Sequence, residues 1–519
     1  MAGGARVLEA AAPAAARRDP ARTARLLGLT GTLLMAVGAL GAGALPVPNP
    51  LGGVRLLGLP ARNATVSIAI VYAGIGMLVL AWLWIGRMLH RRGAVPPAPD
   101  PRQLARTGIL WALPLACAPP LFSTDVYSYL AQSAVAARGL DPYSFGPGPA
   151  LGIDDPLTRS VPTIWRETPT PYGPLFMALG RGITGLTGDD VVLGVLAHRA
   201  LALVGVAAVV WALPHLARRC NLDPGLVLWL GAANPLVLFH LVSGIHNESL
   251  MLGLMLVGVE LGLRAGPRLW DPYLLLGAVV VAAAAAVKLP ALLALGFVGM
   301  HQARRLGARA RDVVAVAAVL TVAAAATLTA LSLLTGLGFG WLGTLDGPSA
   351  LRSWMSMPTA FGQLAGQVGN LLGFGDHTGA TIGLARATGL AVAGLICAVL
   401  LLAVLRGRVE PVTGIGAGLG AIVLLGPVVH PWYVLWAALP LAAVRGLPRY
   451  RRAALAASAA LAVLVPPTGV NFQFRAYQLP MAIVAGGVIL AVGLAVLYAL
   501  HRRRAAPPAA APAVEVGAL

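Results

Sequence analysis

Charge is what this 519-residue chain has least of. Only 11% of its residues are Asp, Glu, Lys or Arg, against about 25% in a soluble domain, which excludes an ordinary soluble fold. Lysine is almost missing: among 38 basic side chains, Lys288 is the single lysine. Cysteine is scarce too. Cys117, Cys220 and Cys397 lie in or beside apolar segments without CxxC spacing, so a disulfide framework or a zinc ribbon is excluded and small core residues remain. Aromatic residues make up 6% and are not interleaved with basic runs, so nucleic acid is not an expected partner.

What is present is hydrocarbon. Hydrophobic residues make up 58% of the chain and the mean hydropathy is +0.79. Many runs exceed the ~18 apolar residues that mark a membrane span, so the sequence predicts an all-α polytopic membrane protein. The net charge of +19 follows the positive-inside rule. Arginines gather at 17–25, 87–106, 304–311, 445–452 and 502–504. The expected spans are 26–45, 66–90, 107–122, 189–216, 224–243, 247–264, 272–287, 288–302, 313–336, 380–404, 412–429, 431–445, 453–467 and 479–500. That makes fourteen, with both termini in the cytoplasm and the first span a retained signal-anchor. The run 272–300 reads either as one tilted helix or as a hairpin turning near Lys288; arginines on both flanks favour the hairpin.

Four regions follow: a disordered N-terminus (1–24), a two-span unit with its linker (25–106), a membrane domain (107–500) and a disordered tail (501–519). Two long loops, 123–188 and 337–379, face outward in this topology. The first opens with an amphipathic stretch, Asp125 to Arg138, expected to lie along the interface. A second short surface helix is expected over 174–186.

The candidate chemistry lies where charge or aromatic side chains interrupt the apolar pattern. Asp125 sits where a span leaves the membrane, and a carboxylate there can take a proton from an arriving hydroxyl. An intramembrane charge is expensive and marks function by default; Lys288 offers a compact ammonium suited to a phosphate oxygen, or snorkels. His246, Asn247 and Glu248 break two spans, either as a polar turn or as hydrogen-bonding groups for a sugar or phosphate. His430, Trp432 and Tyr433 read as an aromatic belt or as a platform for a sugar or an isoprenoid. Arg475 and Arg166 lie on the outward side, against the charge rule; each is a phosphate ligand or the partner of a local acid. Asp141 reads as a turn residue. Asp154 and Asp155 read as solvated acids or as ligands of a divalent ion. Sugar departing from a phosphate needs positive charge at the leaving group, and the acceptor hydroxyl needs a base. Lys288 and Asp125 fit those two jobs.

Six pieces carry a resemblance: Phe122-Ser-Thr-Asp-Val-Tyr-Ser-Tyr129, Gly139-Leu-Asp-Pro-Tyr143, Pro171-Tyr-Gly-Pro174, Gly244-Ile-His-Asn-Glu-Ser-Leu250, Lys288-Leu-Pro-Ala-Leu292 and His430-Pro-Trp-Tyr433. In order and topology the chain resembles the actinobacterial polyprenol-phosphomannose-dependent α-1,6-mannosyltransferases, of the GT-C glycosyltransferases. The resemblance implies a GT-C helical bundle with a large first catalytic loop carrying surface helices. It puts the family's loop aspartate, the base, on Asp125, and its His-Asn-Asp run on His246, Asn247 and Glu248, where Glu248 departs from the pattern. Tyr127, Asp141, Tyr143 and Tyr172 lie in the same pieces and are expected to bind substrate. The implied donor is polyprenyl-phosphate-mannose and the implied acceptor a lipoglycan mannan. Transfer would invert the anomeric carbon at the outer face of the plasma membrane, with no cofactor and no metal expected. Two alternatives stand beside it: a lipid or solute transporter using Lys288 as a coupling charge, and a sister GT-C enzyme using another lipid-phosphate sugar.

Overall fold

The computed structural model describes residues 19–90, 98–345, 347, 352–353, 355–445, 448–468 and 477–505. Among them every regular element is helical. Six helices are long and apolar enough to cross a membrane: Pro20–Ala42, Ala64–His90, Val191–Arg219, Ala310–Leu334, Thr378–Leu405 and Gln478–Val496. The pair Val237–Ser243 and Glu248–Arg264, bent by 111°, is a seventh candidate. The other segments expected to span fall on shorter helices, among them Pro101–Cys117, Pro272–Ala285 and Pro411–Leu425. The count of fourteen therefore does not follow from helix length and composition. Short helices persist in a membrane where neighbouring protein covers their ends. The two segments expected to be disordered, 1–24 and 501–519, lie mostly outside the described residues; their described ends, 20–24 and 501–505, are helical.

Local signals explain two shifted boundaries. The segment expected at 107–122 is helical over Pro101–Cys117 instead. Asp100 and Gln103 close a capping box ahead of Pro101, which starts the helix early, and Pro119-Pro120 stops it. The loop 337–379 holds a further helix, Met357–Leu371, whose N-cap Ser356 accepts from Thr359 N.

The run 272–306 turns back on itself. The helix Pro272–Ala285 ends just before Lys288, a single 3₁₀ turn follows at Leu289–Leu292, and Leu293–Leu306 returns. The return is fixed by Gln302, whose Nε2 donates to the carbonyls of Gly266 (2.7 Å) and Arg268 (2.9 Å), in the loop that precedes the outgoing helix. Arg305 also donates to the Ala265 carbonyl. Both helices pack on Glu248–Arg264, where Gly258 and Gly262 let Val281 and Val298 approach closely.

Arg199 ties this frame to the first long loop. Its buried guanidinium donates to Ala116 O (3.0 Å), Ala118 O (2.7 Å) and Ser243 O (3.4 Å). These are carbonyls at the ends of two helical segments, groups that a helix terminus leaves unpaired. One side chain thus holds the segment leading to Asp125 against the bend leading to His246.

The stretch from Asp125 is helical over Asp125–Ala137, but it does not lie on an interface as expected. Every residue from Val126 to Ala136 is buried, because Pro174–Thr187, Val191–Arg219 and two short loop helices close over it. Pro174–Thr187 matches the second expected surface helix and buries only Pro174, Phe176, Met177 and Gly180.

Candidate active site

A cavity of ≈ 420 Å³ opens where the first loop meets the bundle. Four segments supply its polar and aromatic lining. The Asp125–Ala137 helix contributes Asp125, Ser128, Tyr129 and Gln132; the loop before Pro174 contributes Trp165, from the short helix Thr163–Arg166, and Pro171 and Tyr172. The turn at 288–290 contributes Lys288, and the turn at 430–436 contributes His430, Trp432, Tyr433 and Trp436.

Asp125 begins its helix, and its amide donates to Ser123 Oγ at 3.0 Å. The partial positive charge of a helix N-terminus favours a carboxylate there. Behind it stands His246, fully buried, with Nδ1 3.3 Å from Asp125 Oδ2. Ile245 takes a left-handed backbone conformation, φ 58°, uncommon for a β-branched residue, and so turns the chain sharply enough to aim His246 at Asp125. Burial opposes ionisation of Asp125. The hydrogen bond from His246, aided by the Lys288 ammonium, outweighs it and holds the carboxyl below its ordinary range. The carboxylate is ionised at neutral pH and one quarter exposed, so it is open to the cavity.

Lys288 faces Asp125 across the same space. Its ammonium pairs with Glu248, donates to Tyr433 Oη at 3.3 Å, and lies 4.6 Å from the Tyr433 ring centre. Glu248 is fully buried; it also accepts from Trp432 Nε1 at 3.2 Å. Trp432 stacks between two imidazoles, 3.6 Å from His246 and 4.5 Å from His430. Burial pushes His430 down to about 4, so it is neutral at pH 7.

Of the residues singled out from the sequence, Asp125, Lys288, Tyr172, His430, Trp432 and Tyr433 meet on this lining. His246, Asn247 and Glu248 stand one layer behind it, all buried. Tyr127 points to the far side, its hydroxyl donating to Ala44 O at 2.6 Å. Asp141 holds its own turn, accepting from Tyr143 N at 3.0 Å, while Tyr143 packs with Ala136, Met177 and Trp341. Arg166 donates to Val161 O and Arg159 O, both at 2.9 Å. Asp155 caps a short helix and pairs with Arg138 at 3.4 Å. Arg475 lies outside the described residues. Sequence reading missed Ser128, Tyr129, Gln132 and Trp165. The first three follow Asp125 at positions three, four and seven, the spacing of one helix face, so the signal was there. Ser128 Oγ and Gln132 Oε1 are buried polar atoms with no protein partner.

Residues 25–304 match the family described as "Alpha-(1->6)-mannopyranosyltransferase, N-terminal domain". The chain belongs to the alpha-(1->6)-mannopyranosyltransferase family. Residues 358–495 match the "MptB C-terminal domain". The chain is 48% identical to a Mycolicibacterium smegmatis protein named "Probable alpha-(1->6)-mannopyranosyltransferase", over 95% of this chain and 91% of that protein. It is 45% identical to an alpha-(1->6)-mannopyranosyltransferase of Mycobacterium tuberculosis, over 92% of this chain and 88% of that protein. It is 44% identical to alpha-(1->6)-mannopyranosyltransferase B of Corynebacterium glutamicum, over 86% and 77%. No solved structure matches the chain. In this alpha-(1->6)-mannopyranosyltransferase family member, all the cavity-lining residues up to Pro290 fall within the first matched region, and Ile422 to Trp436 fall within the second.

Proposed function

We propose that this membrane protein transfers mannose from a polyprenyl-phosphate-linked donor to a growing α-1,6-mannan of a cell-envelope lipoglycan, at the outer face of the plasma membrane. Both termini lie in the cytoplasm and the cavity opens on the other side. The acceptor hydroxyl gives its proton to Asp125 as its oxygen attacks the anomeric carbon. The bond from that carbon to the phosphate oxygen breaks, and polyprenyl phosphate departs. One displacement inverts the configuration, so a β-linked donor yields an α-linked product. No general acid is needed, because phosphate is already a good leaving group. Lys288 offsets the charge that builds on it, and no metal is required in this reading.

The observation that carries the reading is the shared cavity: an ionised carboxylate and a lysine ammonium face one space. Aromatic rings line it, as a sugar face and an apolar tail require. Ser128 and Gln132, unpartnered on the Asp125 helix, are placed to bind hydroxyls of the acceptor. The family membership and the names of the relatives support mannose and the α-1,6 linkage.

The test uses the purified protein in lipid nanodiscs with labelled polyprenyl-phosphate-mannose and a short α-1,6-mannoside. The expected result is an extended mannoside whose new bond NMR reads as α-1,6. Movement of the labelled lipid across a vesicle without any new glycosidic bond would replace the reading with transport. A new bond of another sugar or linkage would correct the donor or the product.

A further inference from the structure

Asp125 and Lys288 belong to segments more than 160 residues apart, yet both lead back to one side chain. Trp432 lies 3.6 Å from the His246 ring, and His246 Nδ1 lies 3.3 Å from Asp125 Oδ2. The indole Nε1 of the same Trp432 donates to Glu248 Oε1 at 3.2 Å, the oxygen that also pairs with Lys288. His246 and Glu248 are two residues apart and wholly buried. They therefore cannot reach the cavity, and each touches a residue that does.

We propose that Trp432 is a brace that fixes the base and the cation in one register, acting through His246 on Asp125 and through Glu248 on Lys288. His246 and Glu248 are then positioning residues, not substrate ligands, and Trp432 couples them from the cavity wall. This rests on the function proposed above. The arrangement has a physical purpose. The acceptor oxygen and the donor phosphate must be held in line, and a misplacement of about 1 Å can cost roughly a hundredfold in rate. Neither Asp125, on a loop helix, nor Lys288, at a break between two helices, is held by its own element alone. A rigid indole wedged between His246 and His430 (ring centres 3.6 and 4.5 Å away) supplies the rigidity.

The brace makes separable predictions. Asp125 is faced by His246 from the bend, His430 from the turn before Pro431, Lys288 from the 3₁₀ turn, and the Tyr129 and Tyr172 hydroxyls from its own helix and the adjoining coil. Of these, His246 makes the strongest interaction keeping the carboxyl ionised. Removing it takes away the largest of the effects that oppose burial, so Asp125 takes its proton at higher pH.

The experiment titrates the Asp125 carboxyl band by difference infrared spectroscopy, the band being assigned by its loss in Asp125→Asn. Steady-state rates are measured on the same proteins in nanodiscs. His246→Asn is expected to move the band's midpoint, and the acid limb of kcat/KM, to higher pH, with kcat down about tenfold or more. Trp432→Phe keeps the stacking but loses the N–H; it is expected to leave the midpoint in place and to raise donor KM about tenfold, through Lys288. Trp432→Leu removes both contacts and is expected to show both effects. A midpoint unmoved in His246→Asn, or Trp432→Phe indistinguishable from wild type in donor KM, overturns the brace. The infrared arm needs no substrate, so it stands even if wild type transfers no mannose, an outcome that would sink the proposed function instead.

Discussion

Lys288 is worth more attention than any other single residue, because the chain uses arginine for every other positive charge. Its ammonium is compact enough to sit between the Glu248 carboxylate and the Tyr433 hydroxyl, where a planar guanidinium would demand a wider fork. The pair is also a structural liability. Glu248 has 1% of its side chain exposed and Lys288 19%, and removing one member of a buried pair leaves an uncompensated charge that costs about 3–5 kcal/mol. Lys288→Met should therefore lower the thermal midpoint in detergent, and the double variant Lys288→Met with Glu248→Gln should recover most of the loss. Both should lack transfer activity. Equal midpoints for wild type and Lys288→Met would show that the pair contributes nothing to stability. At this scale the sequence was informative where residue type alone carried the argument: one lysine, one carboxylate at a span end. It left alternatives open where burial decides. His246 and Glu248 read either as a polar turn or as groups facing a substrate, and the structure buries both side chains at the bend after Ile245.

At the scale of elements, the site exists because the first long loop converges with the turns at 288–290 and 430–436. The coil before Pro174 docks on the end of the Pro272–Ala285 helix. Gly173 N donates to Val287 O at 3.2 Å and Leu175 N to Ala286 O at 3.1 Å, which sets Tyr172 beside Lys288. A Cβ on Gly173 would meet the Ala286 carbonyl oxygen at 2.2 Å, so no larger residue fits without moving the coil. Gly173→Val is expected to cut kcat/KM by roughly a hundredfold through misplacement, while the protein still inserts and elutes as wild type. Unchanged kinetics in that variant would mean the docking does not position the site. The helices themselves were mostly legible from apolar runs, and the hairpin at Lys288 from the arginines flanking it. The early start at Pro101 was missed, although Asp100 and Gln103 signal it, because the apolar pattern begins only at Thr107. Burial of the Asp125–Ala137 helix was not legible. Its own pattern is amphipathic, and what covers it arrives from four later helices.

For the whole molecule, the reading requires that the cavity and the arginine-rich turns lie on opposite sides of the membrane. In a variant with Cys117, Cys220 and Cys397 replaced, Ser144→Cys on the exposed part of the first long loop should react with a membrane-impermeant maleimide on intact cells. Arg311→Cys, whose side chain is 74% exposed, should react only after permeabilisation. The reverse pattern would put the cavity on the cytoplasmic face and exclude an outward-facing acceptor. The most direct test of the whole account is a single-turnover measurement of mannosyl transfer from polyprenyl-phosphate-mannose by Asp125→Asn, in protein shown by its melting curve to be folded. Loss of a base is expected to lower the rate by about 10²–10⁴-fold with donor binding retained. A wild-type rate in the folded variant would contradict the account.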